Sequence, residues 1–135
     1  MYIIAPFLAW LCAGTLKFII NQLRFGNAKE RIGNGGFPSN HTSIMTTTVM
    51  LIGFREGFDT AMFSLGAAIT FIVIIDATGL RRHVGFHAKR LNELNPASEK
   101  KLRESMGHNR IEVLGGLVLG TLLGYVLSVA SQWLA

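Results

Sequence analysis

The sequence predicts an all-α fold: a polytopic membrane helical bundle of about four transmembrane or membrane-buried helices, with a cytoplasmic helical insertion between the last two. Three observations predict it. Half of the 135 residues are hydrophobic and only 16% are charged, against about a quarter charged in an average soluble domain. The apolar residues gather into four continuous runs, where a half-buried strand would alternate apolar and polar positions. The cations are clustered: of 13 Lys and Arg, four lie between Lys17 and Arg31, eight lie between Arg81 and Arg110, and only Arg55 falls elsewhere. Four spans alternate direction, so the loops after the first and third share one membrane face. Those two loops carry nearly all the cations, as the positive-inside rule expects of the cytoplasmic side.

Each element follows in order. Residues 1–16 are apolar throughout, and the run continues past Lys17 into Phe18, Ile19 and Ile20, long enough to span with Lys17 near the inner end. A cleaved signal peptide is the competing reading, weakened by the missing positive n-region and the lack of a clear small-x-small site. A basic loop with Gly and Asn covers 24–36. A second apolar run covers 42–54, a turn follows at 55–59, and a third run covers 60–75 and stops at Asp76. At about 1.5 Å per residue these two runs reach roughly 20–24 Å, short of a hydrocarbon core of about 30 Å. A soluble bundle is therefore the alternative, and the clustering of cations argues against it. Residues 81–110 are polar and basic, with helix-compatible stretches on both sides of Asn95-Pro96. The last helix is expected over 111–134, where Gly116, Gly120 and Gly124 recur every four residues and form one smooth face for close helix approach.

The length bounds the chain at one domain, 1–135. The lone Cys12 leaves no internal disulfide and offers no metal-ligand spacing; core packing is its expected role. A nucleic-acid surface is disfavoured, because no aromatic interleaving or binding motif accompanies the basic clusters.

Two histidines stand where polar motifs meet apolar helices. His108 and Glu112 are four apart, which on a helix places them on one face, one turn from each other. A carboxylate there accepts the proton on one imidazole nitrogen and leaves the other as a nucleophile. A helix-start histidine in an ordinary i+4 salt bridge is the bland alternative. In Pro38-Ser39-Asn40-His41, Ser39 or Asn40 can cap the following helix. Free amides at that helix start, with Gly35 and Gly36 upstream, form a candidate anion-binding concavity. Capping alone would explain the motif; His41 there is equally placed for general-acid work. Lys17 and Arg24 are seven apart on one helical face, where snorkelling at the membrane edge would account for either. Arg81 and Arg82 follow the third span and can fork onto phosphate oxygens. Asp76 ends that span, where an ionisable group is costly unless paired, so it is expected to orient one of those arginines.

Together these residues resemble the type 2 phosphatidic acid phosphatase and vanadium haloperoxidase superfamily. Its signature runs Lys-x6-Arg-Pro, then Pro-Ser-Gly-His, then Ser-Arg-x5-His-x3-Asp. Lys17-x6-Arg24 is similar to the first motif and Pro38-Ser39-Asn40-His41 to the second, with Asn for Gly. His108-x3-Glu112 looks like the end of the third, with Glu for Asp. Gly36-Phe37-Pro38-Ser39, the stretch from Asp76 to Arg82, Leu91-Asn92 and the segment from Leu114 onward resemble its divergent small branch. Phe25 stands where the signature has proline, Leu80 where it has serine, and about 25 residues separate Arg82 from His108 where the signature has five. Arg81-x5-His87 meets the short spacing, but Leu91 leaves His87 without an orienting acid. Arg31 is a rival to Arg24 as phosphate ligand.

The resemblance implies a membrane lipid phosphatase acting on a lipid phosphomonoester or pyrophosphate, with phosphatidylglycerophosphate or phosphatidate as substrate. It implies that His108 is the nucleophile that becomes phosphorylated, that Glu112 orients it and that His41 protonates the leaving oxygen. Lys17, Arg24, Ser39, Asn40, Arg81 and Arg82 would hold the phosphate oxygens, with Asp76 in support. No metal or other cofactor is implied. The expected partners are membrane lipid and a phospholipid or polyprenyl phosphate substrate, at the cell (inner) membrane with the site facing the cytoplasm. A four-span chain this small is also a candidate for a homo-oligomer that buries its polar groups. The alternative is a non-catalytic phospholipid-binding or scaffold protein that keeps the phosphate cradle without turnover.

Overall fold

In the computed structural model, which describes residues 1–26, 28–31 and 35–133 (without the side chains of 30 and 31), small residues form the interior and large apolar ones the outside. The helices are α1 (Ala5–Phe25), a single 3-10 turn (Ala28–Arg31), α2 (Asn40–Glu56), α3 (Ala61–Thr78), α4 (Leu80–Leu94) and α5 (Arg110–Trp133). Among the described residues there is no strand. α2 lies at the centre and packs on α5 most extensively, then on α1 and α3. Its buried face is Thr42, Ser43, Thr46, Thr47, Val49, Leu51 and Gly53. α1 turns Ala5, Ala9 and Ala13 inward, all fully buried at spacing four. Phe7, Leu65, Phe71, Ile72, Leu114 and Leu122 all face outward. Such a distribution inverts a soluble core, and it is what a bilayer selects: apolar side chains against lipid, small residues between helices.

The glycine face of α5 meets α2 as its spacing predicts. A Cβ on Gly116 would lie 2.9 Å from Ser39 O, one on Gly120 would lie 2.9 Å from Ser43 O, and one on Gly124 would lie 3.0 Å from Thr47 O. Backbone therefore passes backbone at van der Waals distance. The hydroxyls of α2 do not obstruct it, because Ser43 donates to Ser39 O (2.9 Å) and Thr47 to Ser43 O (2.8 Å) within their own helix.

Ala61–Leu94, taken with its break at Gly79, and Arg110–Trp133 are long and apolar enough to cross a membrane. At about 1.5 Å per residue α1 reaches roughly 31 Å and α2 roughly 25 Å. The molecule is a membrane helical bundle, with α4 as the insertion before the last helix.

One expected helix does not form. Residues 97–109, after Asn95-Pro96, run without helix. The Asn92 side chain pairs with the backbone of Leu102, donating to its carbonyl and accepting from its N–H, both at 2.8 Å. The carbonyl of Glu104 lies against Gly85, where a Cβ would come within 2.5 Å. The segment is thus strapped along α4 as extended chain, its backbone hydrogen bonds taken by a side chain instead of by a helical turn. Leu134, the expected end of the last helix, lies outside the described residues.

Candidate functional site

Three helix ends converge at one end of the bundle through backbone hydrogen bonds. Ser39 N–H donates to Glu112 O and His108 N–H donates to Ala77 O, each at 2.9 Å. The starts of α2 and α5 and the end of α3 are therefore held in mutual register. Ser39 is the N-cap of α2: fully buried, its Oγ accepts from Thr42 N (3.4 Å) and from the Thr42 hydroxyl (3.0 Å). Its hydroxyl is directed to that helix turn.

His108 Nδ1 lies 2.8 Å from Glu112 Oε2. A carboxylate can only accept, so Nδ1 carries the proton and Nε2 keeps its lone pair. Glu112 is itself held. Asn109 N–H donates to Glu112 Oε2 at 3.2 Å, Asn109 Nδ2 donates to Oε1 at 3.3 Å, and Glu112 N–H donates to Asn109 Oδ1 at 2.8 Å. This reciprocal pair is a capping box, with Asn109 as cap and Glu112 three residues later. One carboxylate thus starts α5 and fixes the tautomer of His108. Sequence reasoning missed Asn109, although Asn-x-x-Glu before an apolar run was a visible signal.

The His41 and His108 ring centroids are 6.4 Å apart, edge to face. Both rings line a cavity of about 670 Å³, together with Lys17, Asn40, Arg81 and Arg103. Trp10, Leu11 and Phe18 of α1 line its apolar side. The cavity is thus an amphiphile's shape in negative, with cations and imidazoles at one end and apolar wall along α1. Asn40 Oδ1 is buried with no hydrogen-bond partner among the described residues. Burial pushes the His108 imidazole below its ordinary value; the charges of Lys17 and Arg81 act the same way, and Glu112 opposes them.

Asp76 accepts from Arg81 Nε at 2.6 Å. The pairing is the one expected of a carboxylate at the end of a span, and it fixes the stem of Arg81 at the cavity wall. Arg103 has no counterpart in the sequence reasoning. It arrives on the strapped segment 97–109, whose path no local pattern discloses.

The expected six-residue phosphate cradle divides. Lys17, Asn40 and Arg81 share the histidine cavity, whereas Arg24 and Arg82 line a neighbouring cavity of about 950 Å³. Helix geometry explains both separations. Seven residues advance α1 by about 10.5 Å, so Lys17 and Arg24 share a face at different depths. Consecutive helical residues diverge by about 100°, so Arg81 and Arg82 turn to different sides. The Arg31 side chain lies outside the described residues. His87 is exposed on α4 and lines neither cavity. Among the described residues no three His, Cys, Asp or Glu side chains gather as metal ligands would.

Residues 1–123 match the family described as DUF212, the divergent PAP2 family. The chain is also 35% identical over 112 residues to the uncharacterized membrane protein YuiD of Bacillus subtilis (strain 168), a match covering 70% of this chain and 71% of that one. No solved structure matches. The chain belongs to the divergent PAP2 family.

Proposed function

We propose that this divergent PAP2 family member is a lipid phosphatase that hydrolyses a lipid phosphomonoester or pyrophosphate through a phosphohistidine intermediate. The observation that carries the proposal is the 2.8 Å His108–Glu112 pair opening on the cavity that also holds His41, Lys17 and Arg81. With its Nδ1 proton held by Glu112, His108 attacks phosphorus through Nε2. The bond from phosphorus to the lipid oxygen breaks, and that oxygen takes a proton from His41. Water then attacks the phosphohistidine while His41 accepts a proton from it. Inorganic phosphate leaves and His108 is restored.

The two rings, with centroids 6.4 Å apart, line one cavity, which lets both address the same phosphoryl group. Lys17 and Arg81 supply fixed positive charge where the three non-bridging oxygens gather charge in the transition state. The buried Asn40 Oδ1, without a partner among the described residues, gives the cavity a further polar contact. Ser39 serves the site through the cap of α2, which sets where Asn40 and His41 stand.

The clustering of cations in the loops on this side supports a site on the cytoplasmic face of the cell membrane, where phosphatidate and phosphatidylglycerophosphate are candidate substrates. A labelling map with Lys100 outside the cell would reverse that orientation. The catalytic proposal is tested by phosphate release from purified protein over a panel of lipid phosphates. The expected result is release that vanadate inhibits and chelators spare, and that His108→Ala abolishes without loss of fold. Undiminished release by His108→Ala would overturn it.

A further inference from the structure

We infer that α4 is an interfacial helix that lies along an anionic lipid surface, with one apolar stripe sunk among the acyl chains and cations on both borders meeting the headgroups. The inference rests on the fold and does not need the phosphatase proposal.

α4 begins where the apolar run of α3 ends. Gly79 separates the two helices, with φ −107° and ψ −91°. Those dihedrals are not helical, so α4 leaves the line of α3 at the edge of the span. With six basic side chains in 15 residues it is too polar and too short to be a span itself.

Its surface divides into three faces. Gly85, Ala88 and Asn92, at spacings of three and four, form the face that holds the strapped segment 97–109. Leu80, Val84, His87, Leu91 and Leu94 recur at alternating spacings of four and three and form an adjoining stripe. Its four apolar members are all exposed, Leu94 to 81%. Arg82, Lys89 and Glu93 occupy the remaining side. A row of exposed aliphatic side chains on so basic a helix is the pattern of a helix lying in a membrane interface.

Charge selects the occupant of that stripe. His83 and Arg90 border it on one side, and on the other the strapped segment brings the exposed Lys100 and Lys101. Between Arg81 and Arg110 the chain carries eight Lys and Arg against three acids, Glu93, Glu99 and Glu104. A second copy pairing along the same stripe would bring two such cationic segments together and bury His87 from both. An anionic leaflet neutralises the cations instead, and it leaves His87 at headgroup level. Docking also bears on the histidine cavity. Arg81 stands in the first turn of α4, and Asn92 holds the segment that delivers Arg103, so a docked α4 steadies two of the cavity's cations.

The test uses the full chain reconstituted in vesicles of phosphatidylcholine, with or without phosphatidylglycerol. In a Cys12→Ser background, Leu91→Cys on the stripe and Lys89→Cys on the far side of α4 each carry an environment-sensitive fluorophore, with spin-labelled acyl chains as quencher. In the anionic vesicles, quenching at 91 is expected to exceed that at 89 by about twofold or more. It should fall in phosphatidylcholine alone, and Arg90→Gln/Lys100→Gln/Lys101→Gln should lower it to that value in the anionic vesicles too. Leu94→Cys, on the same stripe, repeats the measurement if Leu91→Cys fails to fold. Equal quenching on the two sides of α4 would overturn the inference, as would quenching at 91 that ignores both the anionic lipid and the triple variant. Energy transfer between copies labelled at Leu91→Cys, without acyl-chain quenching, would overturn it in favour of a second copy on the stripe.

Discussion

The rings of His41 and His108 face each other edge-on with centroids 6.4 Å apart, one from the first turn of α2 and the other from the residue before the cap of α5. Among the described residues, His108 alone of the two has a carboxylate hydrogen-bonded to its ring. On the proposed mechanism that asymmetry divides the roles, since a nucleophile needs a fixed tautomer and a general acid needs a proton near the leaving oxygen. His41→Gln is expected to slow hydrolysis of an alkyl lipid phosphate by about 10²–10⁴-fold, the usual worth of a positioned acid. The loss should shrink markedly for an aryl phosphate, whose leaving oxygen is a weak base and needs little protonation. Equal losses on the two substrates, measured as kcat/KM, would remove His41 from the acid role.

The pH dependence follows from the burial of His108. Its imidazole sits below the ordinary value of about 6.5, so the nucleophile is already neutral in mildly acid solution. Neutral His108 therefore sets an acid limb of kcat/KM below pH 6.5, and loss of the His41 proton that the leaving oxygen requires sets the limb on the other side. The stability sign agrees: the unfolded chain takes up this proton near 6.5 and the folded one does not. The fold thus weakens as pH drops from about 6.5 toward the lowered folded value. Glu112→Gln removes the one charge that raises this imidazole. The acid limb of kcat/KM should move to still lower pH while the plateau falls by up to about 10⁴-fold, because an amide can donate to Nδ1 and misplace the proton. An acid limb moving upward in that variant would contradict the assignment.

Local spacing made part of this site legible in the sequence. Residues four apart must meet on a helix, and His108 and Glu112 do; glycines four apart must make a groove, and α2 lies in it. What the sequence left unread depends on direction and path. Lys17 and Arg24 share a helical face, yet depth along the axis sends them to different cavities, and Arg81 and Arg82 diverge because they are adjacent. Arg103 lines the histidine cavity on a segment that Asn92 holds extended, where local composition was compatible with a helix. Ser39 and Asn40 were both candidate caps in the sequence, and the Thr42 N–H bonded to the Ser39 hydroxyl singles out Ser39.

Asp76 and Arg81 give a separate expectation. Their 2.6 Å contact joins two half-exposed side chains and fixes the guanidinium stem beside the histidine cavity. Asp76→Asn keeps the shape and weakens the hold. A loosened Arg81 should raise KM for lipid phosphate by about three- to tenfold, on the scale of a charge-assisted hydrogen bond made less regularly, with a smaller change in kcat. Arg81→Gln should be worse in both parameters, since it removes the charge itself. If Asp76→Asn matched Arg81→Gln in kcat, Asp76 would have a part in the chemistry beyond positioning.

The α2–α5 contact should be the most substitution-sensitive part of the bundle, and Gly120 its most sensitive point. A Cβ there would lie 2.5 Å from Thr46 Cβ and 2.9 Å from both Ser43 O and Thr47 N. Two of those three neighbours are backbone, so rotamer changes cannot make room and the helices must part. Overpacking of this kind costs about 1–3 kcal/mol. Parting them also strains the Ser39 N–H to Glu112 O bond at the end of the same interface, which ties the two motifs together. Gly120→Ala should therefore lower the melting temperature in detergent and reduce kcat, although it touches no cavity residue. Gly14→Ala is the control: no atom comes within 4 Å of its added Cβ, and its melting temperature should stay near that of the unaltered protein. A Gly120→Ala protein as stable as the Gly14→Ala protein would mean that the two helices are held apart in the bilayer by more than the distances here allow.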